Sequence, residues 1–318
     1  MSELLETRVE RRVDRGGVAI LDLVAAGASA LPRFQPGAHV DVHLSEGIVR
    51  QYSLCNDPAD SGVYRLGVLL DPASRGGSAA VHAGLHEGAR VTIGVPRNRF
   101  PLAEHARAHV LIGGGIGITP MIAMAFSLHE TERRFDMHYC SRSRSRGAFV
   151  TELAESPFAG RVHFHFDDAE PSQRFDANAV LGKALATEAH VYLCGPAGFM
   201  KWLEERAAML GIPADHLHRE SFGSQIDHSG RSFKVEAARS GLSVHVAPGE
   251  TIARALGRVG IAIPVSCEEG VCGTCVCTVL DGGCDHRDSY LTENERAAGD
   301  LIIACCSRAA GERLVLDL

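Results

Sequence analysis

The stretch "HVLIGGGIGITPMIAMAFSLHE" (residues 109–130) indicates the fold of the central part of the chain. Its first six residues form a short apolar run that is typical of a buried strand, and its last twelve have the length and composition of a helix. Gly113 and Gly114 end the apolar run, and Gly115 and Gly117 lie between it and the helix; all four lack side chains where a backbone turns tightly or approaches a ligand. The segment therefore predicts a strand, a glycine loop and a helix.

The same alternation continues on the C-terminal side of this segment. "FDMHYC", "RVHFHF" and "HVYLCG" are further candidates for buried strands, and "AGFMKWLEERAAMLG" is a second clear helix that ends at Gly211. Strands that alternate with helices indicate a parallel sheet that is covered by helices on both faces. We predict that residues 104–226 form such an α/β domain and bind ligands at the carboxyl ends of its strands.

The two flanking regions have different residue patterns. Residues 1–103 contain short β-type runs separated by turn signals, which predict an antiparallel β-barrel: "VAILDLVAA", "HVDVHL", "VRQYSL", "VYRLGVLL" and "RVTIGVP". Residues 227–318 follow a connector that contains glycine and serine, and they hold a dense group of cysteines. The sequence therefore predicts a multidomain protein with three domains.

Composition and charge narrow the range of functions. The chain has 318 residues, a net charge of −7 and a pI near 6.1, which argue against nucleic-acid binding. The charged N-terminus lacks the apolar core of a secretory signal, and no window reaches the roughly 20 apolar residues of a membrane span. We expect a monomer in the cytoplasm, without membrane attachment. In that reducing compartment, ten cysteines favour a metal site over disulfides.

The glycine loop is a candidate phosphate site, because the N–H groups at a helix N-terminus attract anions. Thr119 is predicted to cap the helix, with Pro120 in its first position. The loop departs from the G-x-G-x-x-G fingerprint because position 118 is isoleucine, and it lacks the Gly-Lys-Ser/Thr of a P-loop. Taken alone, it also fits a tight strand–helix turn without a ligand.

Two further turns follow strands of the same predicted sheet. "CGP" (194–196) ends one strand and precedes a helix, so it should face the crevice of the glycine loop. "YCSRSRS" (139–145) ends another strand and offers Ser141 and Arg142 to a ribose or a charged group. A buried small residue at Cys194 and a solvated arginine loop are the alternative interpretations.

The barrel region carries a candidate flavin cradle. "RQYSL" (50–54) places Arg50 and Tyr52 on one face of a strand, because strand side chains alternate with a period of two. An aromatic ring and a guanidinium on one face suit a flavin ring and its phosphate. "SRGGSAAVH" (74–82) follows with two glycines, a serine and the start of a helix, which predict a second anion site.

The cysteine-rich stretch "CEEGVCGTCVC" (267–277) gives the spacing C-x4-C-x2-C for Cys267, Cys272 and Cys275. Cys305 lies 29 intervening residues further on. This is the plant-type [2Fe–2S] pattern. Zinc usually takes two short Cys or His pairs, so the single C-x2-C and the distant fourth cysteine argue against it.

The remaining cysteines and the histidines are assigned no metal. Cys306 neighbours Cys305 and is the alternative fourth ligand in a shifted register. We interpret Cys277 and Cys284 as non-ligands. The sixteen histidines show no metal-binding spacing such as H-E-x-x-H.

The order of these motifs resembles the ferredoxin-NADP reductase superfamily. More narrowly, the chain resembles the phthalate dioxygenase reductase family, which includes the reductases of vanillate-type O-demethylases. The resemblance covers nearly the full length and rests on "RQYSLCNDP", "SRGGS", "PRNRF", "GGGIGITP", "CGP", "ESFGS", the cysteine cluster and "DHRDSYLTENE". It implies a flavin-binding β-barrel, a nicotinamide-binding α/β domain and a β-grasp ferredoxin domain.

The resemblance also implies the cofactors FMN, NADH and a [2Fe–2S] cluster, and it assigns residues to them. The implied catalytic residues are Ser53, Cys194, whose thiol would lie beside the nicotinamide, and Phe222, which would lie over the flavin ring. The implied cofactor-binding residues are Arg50, Tyr52, Ser53, Leu54, Arg75, Gly76, Gly77, Ser78, Gly114, Gly115, Ile116, Thr119, Ser141, Arg142, Cys194, Gly195, Pro196 and Phe222. The implied cluster ligands are Cys267, Cys272, Cys275 and Cys305.

The function implied by the resemblance is electron transfer from NADH through the flavin and the cluster to a Rieske-type oxygenase that acts on an aromatic compound. A haem monooxygenase or a globin is an alternative acceptor, and a redox sensor is an alternative class of protein. NADPH stays open because Arg142 and Arg144 suit a 2′-phosphate. The choice of FMN over FAD rests on the C-terminal position of the ferredoxin domain.

Overall fold

The computed structural model describes residues 4–27, 30–45, 48–60, 62–72, 76–222, 227–265, 267–268, 270, 273–288 and 290–318. The chain divides into two compact units, Met1–Phe222 and Gly223–Leu318. In the described ranges, no helix is both long enough and apolar enough to cross a bilayer.

The first half of the N-terminal unit is an antiparallel sheet with one helix. Its elements are β1 Leu4–Arg15, β2 Val18–Ala25, β3 Ala38–His43, β4 Val49–Ser53, β5 Tyr64–Leu69, α1 Gly77–Gly84, β6 Arg90–Gly94 and β7 Arg97–Asn98. The strand order is β4-β3-β6-β1-β2-β5, with β7 paired to β3. An isolated bridge from Leu54 to Leu66 connects the two ends of this order, which bends the sheet into the predicted barrel.

The second half of the N-terminal unit is the predicted α/β domain. Its elements are β8 Ala108–Gly114, α2 Ile118–Glu130, β9 Arg134–Ser141, α3 Val150–Ala154, β10 Val162–Phe166, α4 Ala177–Ala186, β11 His190–Cys194, α5 Ala197–Leu210 and β12 Leu217–Glu220. The sheet order is β10-β9-β8-β11-β12, and all four pairings are parallel. The order reverses between β8 and β11, which puts a ligand crevice at their carboxyl ends.

The two faces of this sheet carry separate cores. Met121 and Ile122 of α2 and Leu153 of α3 belong to one buried cluster, whereas Leu181 of α4 and Leu203 of α5 belong to another. Helices therefore cover both faces, as the alternating pattern predicts.

The predicted cap of α2 is wrong. Residues 115–117 form a 3₁₀ turn that continues directly into the helix, so α2 begins at Ile118 and its N-cap is Gly117. Thr119 lies inside the first turn, where its Oγ1 donates a hydrogen bond to the carbonyl oxygen of Ile116 at 2.9 Å. The threonine thus ties the glycine loop to the helix and does not cap it.

The C-terminal unit is a mixed sheet with two short helices. Its elements are β13 Phe233–Ala237, β14 Leu242–Val246, α6 Ile252–Arg258, β15 Val276–Asp281, β16 Cys284–Asp285, α7 Glu293–Ala298, β17 Leu301–Ile303, β18 Arg308–Ala309 and β19 Arg313–Leu316. The main sheet has the order β14-β13-β19-β15-β17, and β16 pairs with β18. Thr251 caps α6, whose Ile252 and Leu256 enter the core. The predicted β-barrel, α/β and ferredoxin-like architecture is confirmed, whereas the limits 1–103, 104–226 and 227–318 stay predictions.

Candidate cofactor sites

The glycine loop and the "CGP" turn touch each other at the carboxyl ends of β8 and β11. A Cβ added at Gly117 would lie 2.4 Å from the carbonyl of Cys194 and 2.6 Å from the nitrogen of Gly195. A Cβ at Gly114 would lie 2.8 Å from the ring of Phe199. Both distances are far shorter than a van der Waals contact, so only glycine permits this approach of the two loops. Gly117 was not among the predicted site residues, although it belongs to the quoted glycine loop.

Ser53, Cys194 and Glu220 come together from three strands. Cys194 ends β11 and pairs with Glu220, which ends β12. Ser53 ends β4 of the barrel, and its Oγ donates a hydrogen bond to Oε2 of Glu220 at 3.3 Å. The structure therefore joins two predicted catalytic residues, Ser53 and Cys194, through a carboxylate that the sequence analysis missed. The signal was available, because Glu220 is the first residue of the quoted motif "ESFGS".

Burial controls the ionisation of this group. It raises the pKa of Glu220 from 4.5 to about 7, and the hydrogen bond from Ser53 opposes that rise only in part. Burial also raises the pKa of the Cys194 thiol, and the nearby Glu220 carboxylate raises it further. The thiol is therefore neutral near pH 7, so Cys194 acts through its shape and position and not as a thiolate.

Phe222 and Leu54 flank this group in the sequence and differ in exposure. Phe222 lies two residues beyond Glu220, and 39% of its surface is exposed. An exposed aromatic ring at this point offers a face on which a planar guest can stack. Leu54 is fully buried in the barrel core, and its N–H donates to the carbonyl oxygen of Ala38 at 2.9 Å.

The predicted flavin cradle is assembled on β4 and α1. The side chains of Arg50 and Tyr52 share a face of β4, and a Cβ at Gly77 would lie 2.5 Å from Cγ of Arg50. Gly76, the N-cap of α1, is left-handed with φ 83° and has no side chain of its own to cap the helix. The Oγ of Ser78 accepts a hydrogen bond from the N–H of Asp71 at 3.1 Å. The start of a helix beside an arginine suits a phosphate.

One predicted member of the cradle, Arg75, lies outside the described residues. At the nucleotide crevice, Gly115 has φ 56°, Ile116 lies in the 3₁₀ turn and Pro196 immediately precedes α5. A Cβ at Gly67 in β5 would lie 3.0 Å from the methyl group of Thr119. Thr119 therefore packs against the barrel while its hydroxyl holds the loop.

The ends of β9 and β10 lie side by side. The Oγ of Ser141 donates to the carbonyl oxygen of Ser143 at 2.7 Å. The N–H of Asp167 donates to the carbonyl oxygen of Ser141 at 3.1 Å, and that of Asp168 to Arg142 at 3.3 Å. Two acidic residues that the sequence analysis missed thus stand beside the predicted ribose-binding residues.

An open pocket of about 430 Å³ lies along the edge strand β10 and the residues that follow it. Its lining residues are Arg144, His163, Phe164, His165, Phe166, Ser172, Gln173 and Arg174. The guanidinium of Arg144 lies 5.9 Å from the ring centroid of Phe166. The pocket thus combines positive charge with aromatic surface.

Two described glycines of the cysteine loop leave no room for a side chain. Gly270 and Gly273 are left-handed, with φ 68° and 72°. A Cβ at Gly270 would lie 2.6 Å from the Sγ of Cys306, and one at Gly273 would lie 2.0 Å from the ring of Tyr290. Both positions therefore require glycine, and the predicted need for backbone freedom around a cluster is met.

Three of the four predicted ligands are described, and all three are buried: Cys267 and Cys305 are 3% exposed, and Cys275 is 1% exposed. The fourth, Cys272, lies outside the described residues. Cys277 points into the core, with its Sγ 3.6 Å from the carbonyl oxygen of Cys275. Buried thiols on a glycine-shaped loop fit an iron–sulfur cluster, whose ligands are cysteine thiolates.

Two neighbouring thiols, Cys277 and Cys306, have raised pKa values. Burial raises the pKa of Cys277 to about 11, which keeps it protonated. A hydrogen bond with Cys305, and then burial, raises the pKa of Cys306. The Sγ of Cys306 donates to the carbonyl oxygen of Ile303 at 3.7 Å. The choice of Cys305 over Cys306 as the fourth ligand stays a prediction.

Six of the histidines, which are scattered along the sequence, are grouped in the fold. They stack in two groups, with ring centroids 4.2 to 5.3 Å apart: His138, His163 and His165, and His190, His216 and His218. Burial lowers the pKa of His138 to about 3. Within the described ranges, no three or more His, Cys, Asp or Glu side chains are arranged to hold a metal ion.

Comparison with known proteins shows which family the chain is similar to. The family described as "2Fe-2S iron-sulfur cluster binding domain" matches residues 235–310. A vanillate O-demethylase oxidoreductase from Pseudomonas sp. (strain HR199 / DSM 7063) is 47% identical over 300 residues, which cover 94% of each chain. A solved phthalate dioxygenase reductase, described as modular for electron transfer from pyridine nucleotides to [2Fe–2S], is 34% identical with a TM-score of 0.74. That match covers 99% of this chain and 98% of the other.

A larger protein contains the same arrangement. A type IV self-sufficient cytochrome P450 monooxygenase is 36% identical, with a TM-score of 0.85 over 99% of this chain. This chain spans only 41% of the length of that protein.

Proposed function

The chain belongs to the family of the vanillate O-demethylase oxidoreductases and phthalate dioxygenase reductases, and from this premise we propose that it passes electrons from NADH through FMN and a [2Fe–2S] cluster to a Rieske-type terminal oxygenase. Membership confirms the prediction of an oxidoreductase that serves as the reductase component of an oxygenase or demethylase system. It works as a monomer in the cytoplasm, where thiols stay reduced.

The observation that carries the proposal is the meeting of Ser53, Cys194 and Glu220 in a unit that precedes a [2Fe–2S] domain in the same chain. When bound, the flavin supplies the conversion of a two-electron hydride into single electrons for the cluster. The protein positions the flavin and the nicotinamide and excludes water from their site. Glu220 fixes the hydroxyl of Ser53, and the buried Cys194 forms part of the crevice floor where the two loops touch.

The flavin is FMN, held by the β4 and α1 cradle. Arg50, packed against Gly77, supplies a cation for the phosphate, and the N-terminus of α1 supplies backbone donors. Phe222 offers its exposed ring to the flavin. Mass spectrometry of the flavin released from the purified protein tests the choice, and recovery of FAD would contradict it.

The nicotinamide coenzyme is NADH. The backbone N–H groups of Asp167 and Asp168 donate to the carbonyl oxygens of Ser141 and Arg142, which brings two acidic residues next to the predicted ribose-binding residues. Negative charge there would repel a 2′-phosphate. The pocket beside Arg144 and Phe166 suits the adenine end of the coenzyme. We expect kcat/KM to be higher with NADH than with NADPH. The reverse order would show that Arg142 and Arg144 determine the coenzyme preference.

The acceptor is tested directly by reconstitution. The protein, NADH and a purified Rieske-type demethylase should form product, whereas the same mixture with a P450 should form little. The similarity to a P450 fusion makes a haem monooxygenase the second candidate acceptor. Product with the P450 alone would favour that candidate. Reduction of cytochrome c by NADH in both mixtures controls for an active reductase.

Gly117→Ala should raise KM for NADH by about tenfold, because its methyl group would push the glycine loop away from Cys194, and overpacking costs about 1–3 kcal/mol. Gly198→Ala is the matched control, since a Cβ there meets no atom within 4 Å. Steady-state kinetics with NADH at fixed cytochrome c measures both. An unchanged KM in Gly117→Ala would show that the contact of the two loops does not shape the coenzyme site.

A further inference from the structure

Asp288 is a buried carboxylate that the proposed electron path does not yet use. Its side chain has no exposed surface. The residue follows the short strand β16 in the motif "DHRDSYLTENE". A carboxylate away from water is costly unless its oxygens find donors, so its partners indicate its role.

The oxygens of Asp288 hold two segments of the C-terminal unit together. Oδ2 accepts hydrogen bonds from the N–H groups of Tyr290 at 3.1 Å and Leu291 at 2.8 Å. Oδ1 accepts one from the Oγ of Ser307 at 3.0 Å. Ser307 lies two residues after Cys305, the proposed fourth ligand. One carboxylate thus fixes the segment of that ligand to the loop that leads into α7.

The cysteine loop is the third segment that meets Asp288. A Cβ built on Gly270 would lie 3.0 Å from the Cα and 3.1 Å from the Cβ of Asp288, and 2.6 Å from the Sγ of Cys306. Gly270 lies between the proposed ligands Cys267 and Cys272. Gly270, in the loop of the proposed ligands, therefore packs directly against Asp288.

The imidazole of His286 and the guanidinium of Arg296 face Asp288, and both are more distant than its hydrogen-bond donors. Nδ1 of His286 lies 3.6 Å from Oδ1, and Nη2 of Arg296 lies 3.8 Å from Oδ2. Nη2 of Arg296 instead donates to the backbone oxygen of Asp288 at 2.6 Å. The described contacts include no close bidentate ion pair to this carboxylate, so much of its negative charge acts on the surroundings.

We propose that Asp288 is a positioning residue of the [2Fe–2S] site, which fixes the cysteine loop against the Cys305 segment and lowers the reduction potential of the cluster. The inference rests on the proposed function, since it takes Cys305 as a ligand. Net charge, hydrogen bonds and exposure set the potential of such clusters. A buried negative charge is weakly screened by salt and opposes the arrival of an electron.

The test uses full-length holoprotein and Asp288→Asn, which removes the charge and keeps the size. The control is Asp281→Asn on the same unit, because that side chain is 66% exposed and pairs with Arg313 at the surface. Chemical reduction followed by EPR gives the midpoint potential without NADH or an oxygenase. We expect Asp288→Asn to shift the equilibrium at least tenfold towards the reduced cluster, which is about 59 mV for one electron. Asp281→Asn should leave it nearly unchanged.

Other outcomes distinguish the inference from the proposed function. Equal potentials in Asp288→Asn and Asp281→Asn would overturn the inference alone, whereas wild-type protein that holds no cluster would overturn the proposed function. Asp288→Glu keeps the charge, so its midpoint potential should lie close to that of the wild type. If Asp288→Asn does not load a cluster, the Ser307→Ala variant tests the positioning role of Asp288. It keeps the charge and releases Oδ1, so an altered EPR spectrum supports the inference and an unchanged spectrum and potential refute it.

Discussion

Cys305→Ser should abolish the [2Fe–2S] cluster, whereas Cys306→Ala should keep it. The two cysteines are adjacent and both buried, so they form a matched pair that differs only in register. The spacing from Cys275 fits Cys305, and the Sγ of Cys306 contacts the carbonyl oxygen of Ile303. Loss of a thiolate ligand removes the one-electron carrier, so cytochrome c reduction by NADH should fall by at least ~100-fold.

The readout separates loss of the cluster from loss of the fold. Visible absorption of the cluster should disappear in Cys305→Ser, while NADH should still bleach the flavin, since Ser53 and Glu220 lie in the other unit. Cys277→Ser should also keep the cluster spectrum, because that thiol points into the core. A cluster that persists in Cys305→Ser and is lost in Cys306→Ala would move the ligand by one residue.

Glu220→Gln should make the N-terminal unit more stable at pH 8 and leave its stability unchanged at pH 4.5. Burial holds the pKa of Glu220 at about 7, above its ordinary 4.5. Between these values the folded state binds more protons than the unfolded state, so this stability is complete below about pH 4.5 and is lost as pH rises through 7. Glutamine has no proton to lose, so the gain at pH 8 approaches about 3 kcal/mol.

Denaturant unfolding of the full-length protein at the two pH values, followed by flavin fluorescence, measures this difference. Glu205→Gln is the control, because that side chain is 61% exposed on the same unit. The same substitution should slow flavin reduction by NADH by about ten- to a hundredfold, since Ser53 loses a charged hydrogen-bond partner. Equal pH dependence in Glu220→Gln and wild type would show that Glu220 does not titrate near pH 7.

Local patterns were enough to predict most of the strands, the glycine loops and the spacing of the proposed cluster ligands. "VRQYSL" became β4, "HVYLCG" became β11, and the cysteine loop requires the two glycines that the sequence shows. Each of these features depends on neighbours within a few residues, such as a buried run or a left-handed turn.

Features that depend on tertiary contacts were missed. β1 carries alternating charged residues, and its burial depends on pairing with β2 and β6 on both sides. The role of Glu220 follows only from the fold, which pairs β12 with β11 and brings the Glu220 carboxylate within hydrogen-bond distance of Ser53. Thr119 does not cap α2 as expected, because the 3₁₀ turn leads into a helix that already begins at Ile118. None of these contacts has a signature at short range in the sequence.

Anaerobic titration of the full-length protein with NADH, followed by absorbance and EPR, tests the electron path most directly. We expect the flavin to bleach, the EPR signal of the reduced [2Fe–2S] cluster then to appear, and an added oxidised Rieske-type oxygenase to remove that signal. Bleaching of the flavin with no EPR signal from the cluster would contradict the proposed electron path.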